Sequence, residues 1–134
     1  MASNNYIPGT CNIGGSELTR RKRIAILLFI LSMVLSGFYY IRAHSDYLVL
    51  VLVFGFWAAT SVSLLQVLNK FCVRYGLGGS FNFGANGQSG RTRNAEFIAT
   101  DRRKTFLMLI QATLISAVIT GAVFFVSFIS NNLK

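Results

Sequence analysis

Two thiols, one imidazole and four carboxylates are the groups in this chain that could do chemistry: Cys11, Cys72, His44, Glu17, Asp46, Glu96 and Asp101. A structural zinc site takes four ligands, often at C-x₂₋₄-C or H-x₃₋₅-H spacing, and no such cluster occurs. Cys11 and Cys72 are therefore the weak candidates for metal handling, and small apolar packing residues are the alternative reading. His44 reads as a solvated loop residue. Gly76-Leu77-Gly78-Gly79 does not match a phosphate-binding loop, since it follows no strand and lacks the GxxxxGK[ST] pattern. No nucleophile, base and oxyanion donor group together, so the expectation is a chain that is not an enzyme. No metal or cofactor is predicted.

The elements that must position these groups are set by apolar content. Hydrophobic residues make up 53% of 134 residues and charged residues 13%, about half the share usual in soluble domains. Ile24–Ile41, Tyr47–Leu68 and Phe106–Ile129 contain no charged residue. At 1.5 Å rise they give helices of roughly 27, 33 and 36 Å, against a hydrocarbon core of about 30 Å. They are apolar all round apart from scattered Ser, Thr and Gln, which marks membrane spans rather than faces of a soluble core. The predicted fold class is all-α: an integral membrane protein with three transmembrane helices. The predicted layout is an N-terminal segment 1–23, helices 24–41 and 47–68, a long loop 69–104, a third helix 106–129 and a tail 130–134.

Net charge is +9, from 13 basic against 4 acidic residues. Arg20, Arg21, Lys22 and Arg23 precede the first span, and Lys70, Arg74, Arg91, Arg93, Arg102, Arg103 and Lys104 lie between the second and third. Only Arg42 and Lys134 fall on the other side. The positive-inside rule then predicts the cell (inner) membrane, with the N-terminus and long loop cytoplasmic and the C-terminus external. Arg20–Arg23 and Arg102–Lys104 are the candidate lipid-headgroup residues, each contributing about 1 kcal/mol near an anionic surface. This reading accounts for the charge without nucleic acid. Tyr39, Tyr40 and Tyr47 flank the short outer turn, where an aromatic belt is expected. Ser45 or Asp46 can cap the second helix and Asp101 the third. The twin arginines before the first span resemble a secretion signal, but the apolar run is long for one and Phe38-Tyr39-Tyr40 is a poor cleavage site, so a retained anchor is expected. Myristoylation and prenylation signals are missing.

Within the spans the absence of ionisable residues disfavours proton relays and coupled pumps. Small residues recur at four-residue spacing: Ser32 and Ser36; Gly55, Ala59 and Ser63; Ala112, Ser116 and Thr120. Such stripes let helix backbones approach closely in lipid, and the Gly55 stripe is the leading contact face, within the chain or with a partner. Trp57 lies mid-span, so its indole N–H needs an acceptor or a protein neighbour. With Phe54 and Phe56 it could also pack a bound lipid, quinone or pigment.

The segment 69–104 interleaves aromatics with glycine, and residues 85–91 read as a flexible turn. Its Phe71, Tyr75, Phe81 and Phe83, beside Lys70 and Arg74, suit a segment on headgroups or on a partner. Thiols on this side would stay reduced. The chain resembles a family of small bacterial membrane proteins in two elements: Cys11-Asn12-Ile13-Gly14 ahead of the basic run, and Phe71-Cys72 through Phe81-Asn82-Phe83-Gly84 after the second helix. These cover about a quarter of the sequence. The resemblance brings no activity with it; it implies that Cys11 and Cys72 belong to one surface structure.

The expected function is a non-catalytic structural or accessory subunit of a larger membrane complex, with membrane lipids and other subunits or its own copies as partners. The alternatives are a small oligomeric carrier or channel, including a holin-like pore, and a thiol- or metal-handling membrane protein acting at the cytoplasmic face.

Overall fold

The computed structural model describes residues 6–42, 46–83 and 89–133. In chain order its elements are α1 (Gly15–Arg42), α2 (Tyr47–Leu68), α3 (Val73–Gly78), β1 (Ser80–Asn82), β2 (Ser89–Arg91) and α4 (Ala95–Asn132). Helices α1, α2 and α4 are long and apolar enough to cross a membrane, with mean hydropathies of 2.3, 2.3 and 2.2 in their most apolar windows. Among the described residues the architecture is all-α apart from one two-stranded antiparallel pair.

Helix α2 starts where the charge-free run starts. Asp46 caps it, its carboxylate accepting from Leu48 N at 2.9 Å; Ser45 and His44 lie outside the described residues. The C-terminus of α2 closes as a Schellman turn, with Phe71 N bonded to Gln66 O at 3.0 Å and Lys70 N to Val67 O at 3.2 Å. The left-handed position of that turn, usually glycine, is held by Lys70 at φ 48°.

Two boundaries differ from the expectation. Helix α1 begins at Gly15, well ahead of Ile24, because its first turns contain an i,i+4 pair: Arg21 Nε lies 3.0 Å from Glu17 Oε1. Helix α4 begins at Ala95 rather than Phe106, and Asn94 is its cap, accepting from Glu96 N at 2.9 Å. Asp101 is therefore not the cap of the third span. It lies inside α4 and is fully buried. The long loop 69–104 is likewise replaced by α3, the hairpin and the first turns of α4. At 38 residues α4 is about 57 Å long, well beyond the ~30 Å hydrocarbon thickness, so its basic first turns have room to stand outside the membrane.

Helix α2 is the central member and the most buried of the three. Tyr39, Val53 and Trp57 form its apolar core, with Leu35, Val49, Leu50, Ile119 and Val123 packed around them. Helix α4 buries a straight stripe of Asp101, Thr105, Met108, Ala112, Ser116 and Thr120. The small members of that stripe let α4 lie close to α2 in a medium that offers no hydrophobic drive between helices.

A knitted cap as the candidate functional site

Cys11, Cys72, Glu17, Glu96 and Asp101 gather at the basic end of the bundle, where four segments are sewn together, while Asp46 lies at the other end. The N-terminal segment first turns on itself. Pro8 and Gly9 stand at the two central positions, Gly9 has φ +69°, and Thr10 N bonds to Ile7 O at 3.0 Å. Glycine is required there twice over, by the left-handed backbone and because a Cβ would come within 2.8 Å of Thr100 Cγ2. The turn is anchored on α4. Asp101 accepts from Gly9 N at 2.6 Å through one carboxylate oxygen and from the Tyr6 hydroxyl at 2.7 Å through the other. Burial raises the Tyr6 phenol above its ordinary pKa, and the hydrogen bond to Asp101 and its charge add to this. Tyr6 also stacks on Phe81 with centroids 4.8 Å apart and meets Phe97 edge-on at 6.5 Å.

Residues 12–14 then act as a strand-like splice. Asn12 N and Ile13 N both bond to Lys70 O at 3.2 Å, Asn82 N bonds to Asn12 O at 2.8 Å, and Gly14 N bonds to Asn82 O at 2.9 Å. The Asn12 side chain grips the backbone of Cys72: its Oδ1 accepts from Cys72 N at 2.6 Å and its Nδ2 donates to Cys72 O at 3.2 Å. The hairpin lies beside this splice, with Phe81 opposite Gly90 and Asn82 opposite Ser89. Helix α3 seats on α4 at Gly76, where a Cβ would meet Thr105 Oγ1 and come within 2.7 Å of Phe71 Cε1.

Both cysteines sit in this cap and both are free thiols. Cys72 is fully buried, and half-buried Cys11 directs its sulfur to Ile13 O at 3.6 Å. Among the described residues, no three His, Cys, Asp or Glu side chains converge as a metal site would need. Arg20, Lys22, Arg23, Arg102 and Arg103 are exposed, Lys104 is half-buried, and Arg21 is paired with Glu17. Arg102 Nε also donates to Leu77 O at 3.3 Å.

In the spans the small-residue positions divide. Ser32, Ser63, Ala112, Ser116 and Thr120 are buried. Ser32 Oγ and Thr60 Oγ1 are 2.9 Å apart across the α1–α2 contact. Trp57 Nε1 donates to Ser36 Oγ at 3.0 Å, and Ser36 Oγ donates to Ser32 O at 2.7 Å. Phe29 packs edge-on against the Trp57 ring at 5.8 Å. Gly55 and Ala59, by contrast, are exposed, and a Cβ at Gly55 meets nothing within 4 Å. Among the described residues, Gly55 and Ala59 therefore stay uncovered while Ser63 of the same stripe is buried, because α2 spends its polar and β-branched residues on α1 and α4 instead.

Asn12, Thr60, Asp101 and Thr105 have structural roles that the sequence reading did not assign, since it named Asn12 only within a motif and Asp101 only as a helix cap. A signal for two of them was present: stepping back from Ala112 by helical spacing leads to Met108, Thr105 and Asp101. Comparison with family models, with curated proteins and with solved structures gave no match.

Proposed function

We propose that the chain is a non-catalytic structural or accessory subunit of a larger membrane assembly. In this reading it sits in the cell membrane with its cap and N-terminus cytoplasmic and its C-terminus external. The orientation is supported by eleven of the thirteen basic residues falling at the cap end.

The observation that carries the proposal is the pair of uncovered small-residue faces on α2 and α4. Gly55 and Ala59 on one, and Ala117 and Gly121 on the other, are exposed, and a Cβ at Gly55 or Gly121 meets nothing within 4 Å. Glycine in a helix costs about 0.5–1 kcal/mol relative to alanine. In membranes that cost is offset where a second backbone packs on the gap. The cap supports the same reading, since two of its buried polar side chains hold segments together: Asp101 holds Tyr6 and Gly9, and Asn12 holds Cys72.

The test is extraction of the natively expressed chain in mild detergent, followed by intact-mass measurement of the complex. The reading expects a defined assembly in which this chain has a fixed stoichiometry with other membrane subunits. A monomer carrying lipid alone would overturn it.

A further inference from the structure

The three long helices leave apolar grooves where they meet, and these grooves differ in charge. One, between α1 and α4, is lined by Met33, Gly37, Tyr40, Ala122 and Val126 among others. A second, between α2 and α4, runs past Leu50, Phe54, Ala117, Gly121 and Phe124. Neither lining contains a charged residue. The third, between α1 and α2, has a volume of about 420 Å³ and is lined by Ala25, Ile26, Phe29, Leu64 and Val67, with Lys22 at its basic end.

Among the described residues, Lys22 has no counter-charge. Of the chain's four acids, Glu17 pairs with Arg21, Asp101 is engaged by Tyr6 and Gly9, Asp46 caps α2 at the opposite end, and Glu96 makes no ion pair among the described residues. An exposed ammonium thus stands over an apolar channel that descends from Lys22 to Phe29, roughly 10 Å of helix rise. This is the arrangement that recognises an amphiphile with an anionic head and a hydrocarbon tail, and basic pockets between membrane helices bind such headgroups.

We propose that the α1–α2 groove below Lys22 is a binding site for one anionic phospholipid. Its phosphate meets the Lys22 ammonium, and one acyl chain lies along Ala25, Ile26, Phe29, Leu64 and Val67. The site is independent of the subunit reading, because it needs no protein partner.

The test is native mass spectrometry of the purified full chain titrated with phosphatidylglycerol or phosphatidylcholine. Wild type retains one phosphatidylglycerol in preference to phosphatidylcholine. Lys22→Gln lowers that affinity about fivefold and removes the preference. Leu64→Trp, a substitution on the exposed rim, fills the channel and reduces retention of both lipids. Arg91→Gln, which removes an exposed cation of the hairpin that is not part of the groove lining, leaves retention unchanged. Equal retention of the two lipids by wild type would overturn the proposal. So would equal losses in Lys22→Gln and Arg91→Gln, which would mean diffuse charge, or undiminished phosphatidylglycerol binding by Leu64→Trp.

Discussion

Asn12 and Cys72 are joined by a closed pair of hydrogen bonds, at 2.6 Å into the Asn12 carbonyl oxygen and 3.2 Å out of its amide nitrogen. A side-chain amide here does what a neighbouring strand would do, and it fixes the N-terminal segment to the α2–α3 junction. Both residues are fully buried. Removing the amide therefore leaves the Cys72 N–H unpaired away from water, while Cys72 O keeps its bond from Gly76 N at 2.9 Å. Asn12→Ala should cost about 2–4 kcal/mol, two hydrogen bonds plus the desolvation of the orphaned N–H. Thiol labelling gives a local readout: Cys72 should be inert in the wild type and react in Asn12→Ala, while Cys11 reacts in both. An inert Cys72 in the variant would contradict the latch.

The Tyr6–Asp101 bond predicts a pH dependence at the alkaline end. The fold raises the phenol's pKa above 10.0, first by burial and then through Asp101. The folded state thus favours the neutral phenol. Its stabilising contribution is fully present below pH 10 and is lost as pH rises from there towards the folded value. Ultraviolet titration should show a component ionising above the ordinary range that diminishes in Tyr6→Phe and shifts down in Asp101→Asn. Titration of all tyrosines in the ordinary range would refute the assignment.

Lys70 occupies the left-handed position of the turn that ends α2. A residue with a Cβ is strained there by roughly 1–2 kcal/mol. Lys70→Gly should raise the thermal stability of the detergent-solubilised protein, by about 0.5–1 kcal/mol after the extra freedom of glycine in the unfolded chain is counted. Lys70→Ala should be close to neutral, which separates backbone strain from loss of the charge.

Ser32 and Thr60 meet across α1 and α2 with both residues fully buried. A double-mutant cycle with Ser32→Ala and Thr60→Val should return a coupling of about 0.6 kcal/mol, and no more than about 1.7, as for other hydrogen bonds between membrane helices. Ser32→Leu should be far more damaging, because it forces apart helices that approach at a small residue. A Ser32→Leu variant as stable as Ser32→Ala would show that the close approach is absent.

The three spans were legible in the sequence because they are long charge-free runs. Asp46 was legible as a cap because it stands immediately before such a run. The first turns of α1 and α4 were not, since a helix carrying Arg20–Arg23 or Arg102–Lys104 fails any apolar count even when Glu17–Arg21 or Asn94–Glu96 supports it. The cap was hidden for a different reason. Asn12–Cys72 and Tyr6–Asp101 are contacts between residues far apart in the chain, set by tertiary packing that no local period encodes. On α2 the small residues were visible, but not which of them faced inwards: Ser63 is buried while Gly55 and Ala59 are exposed.

The exposed Gly55–Ala59 and Ala117–Gly121 faces make the central claim directly testable by site-specific photo-crosslinking in native membranes. A photoreactive residue placed at Ala59 or Ala117 should give discrete protein adducts with other membrane subunits. The same residue at Val34, 65% exposed on α1 rather than on α2 or α4, should label lipid alone. Adducts at neither small-residue face, or protein adducts at all three positions alike, would contradict the account of this chain as a subunit that docks through those faces.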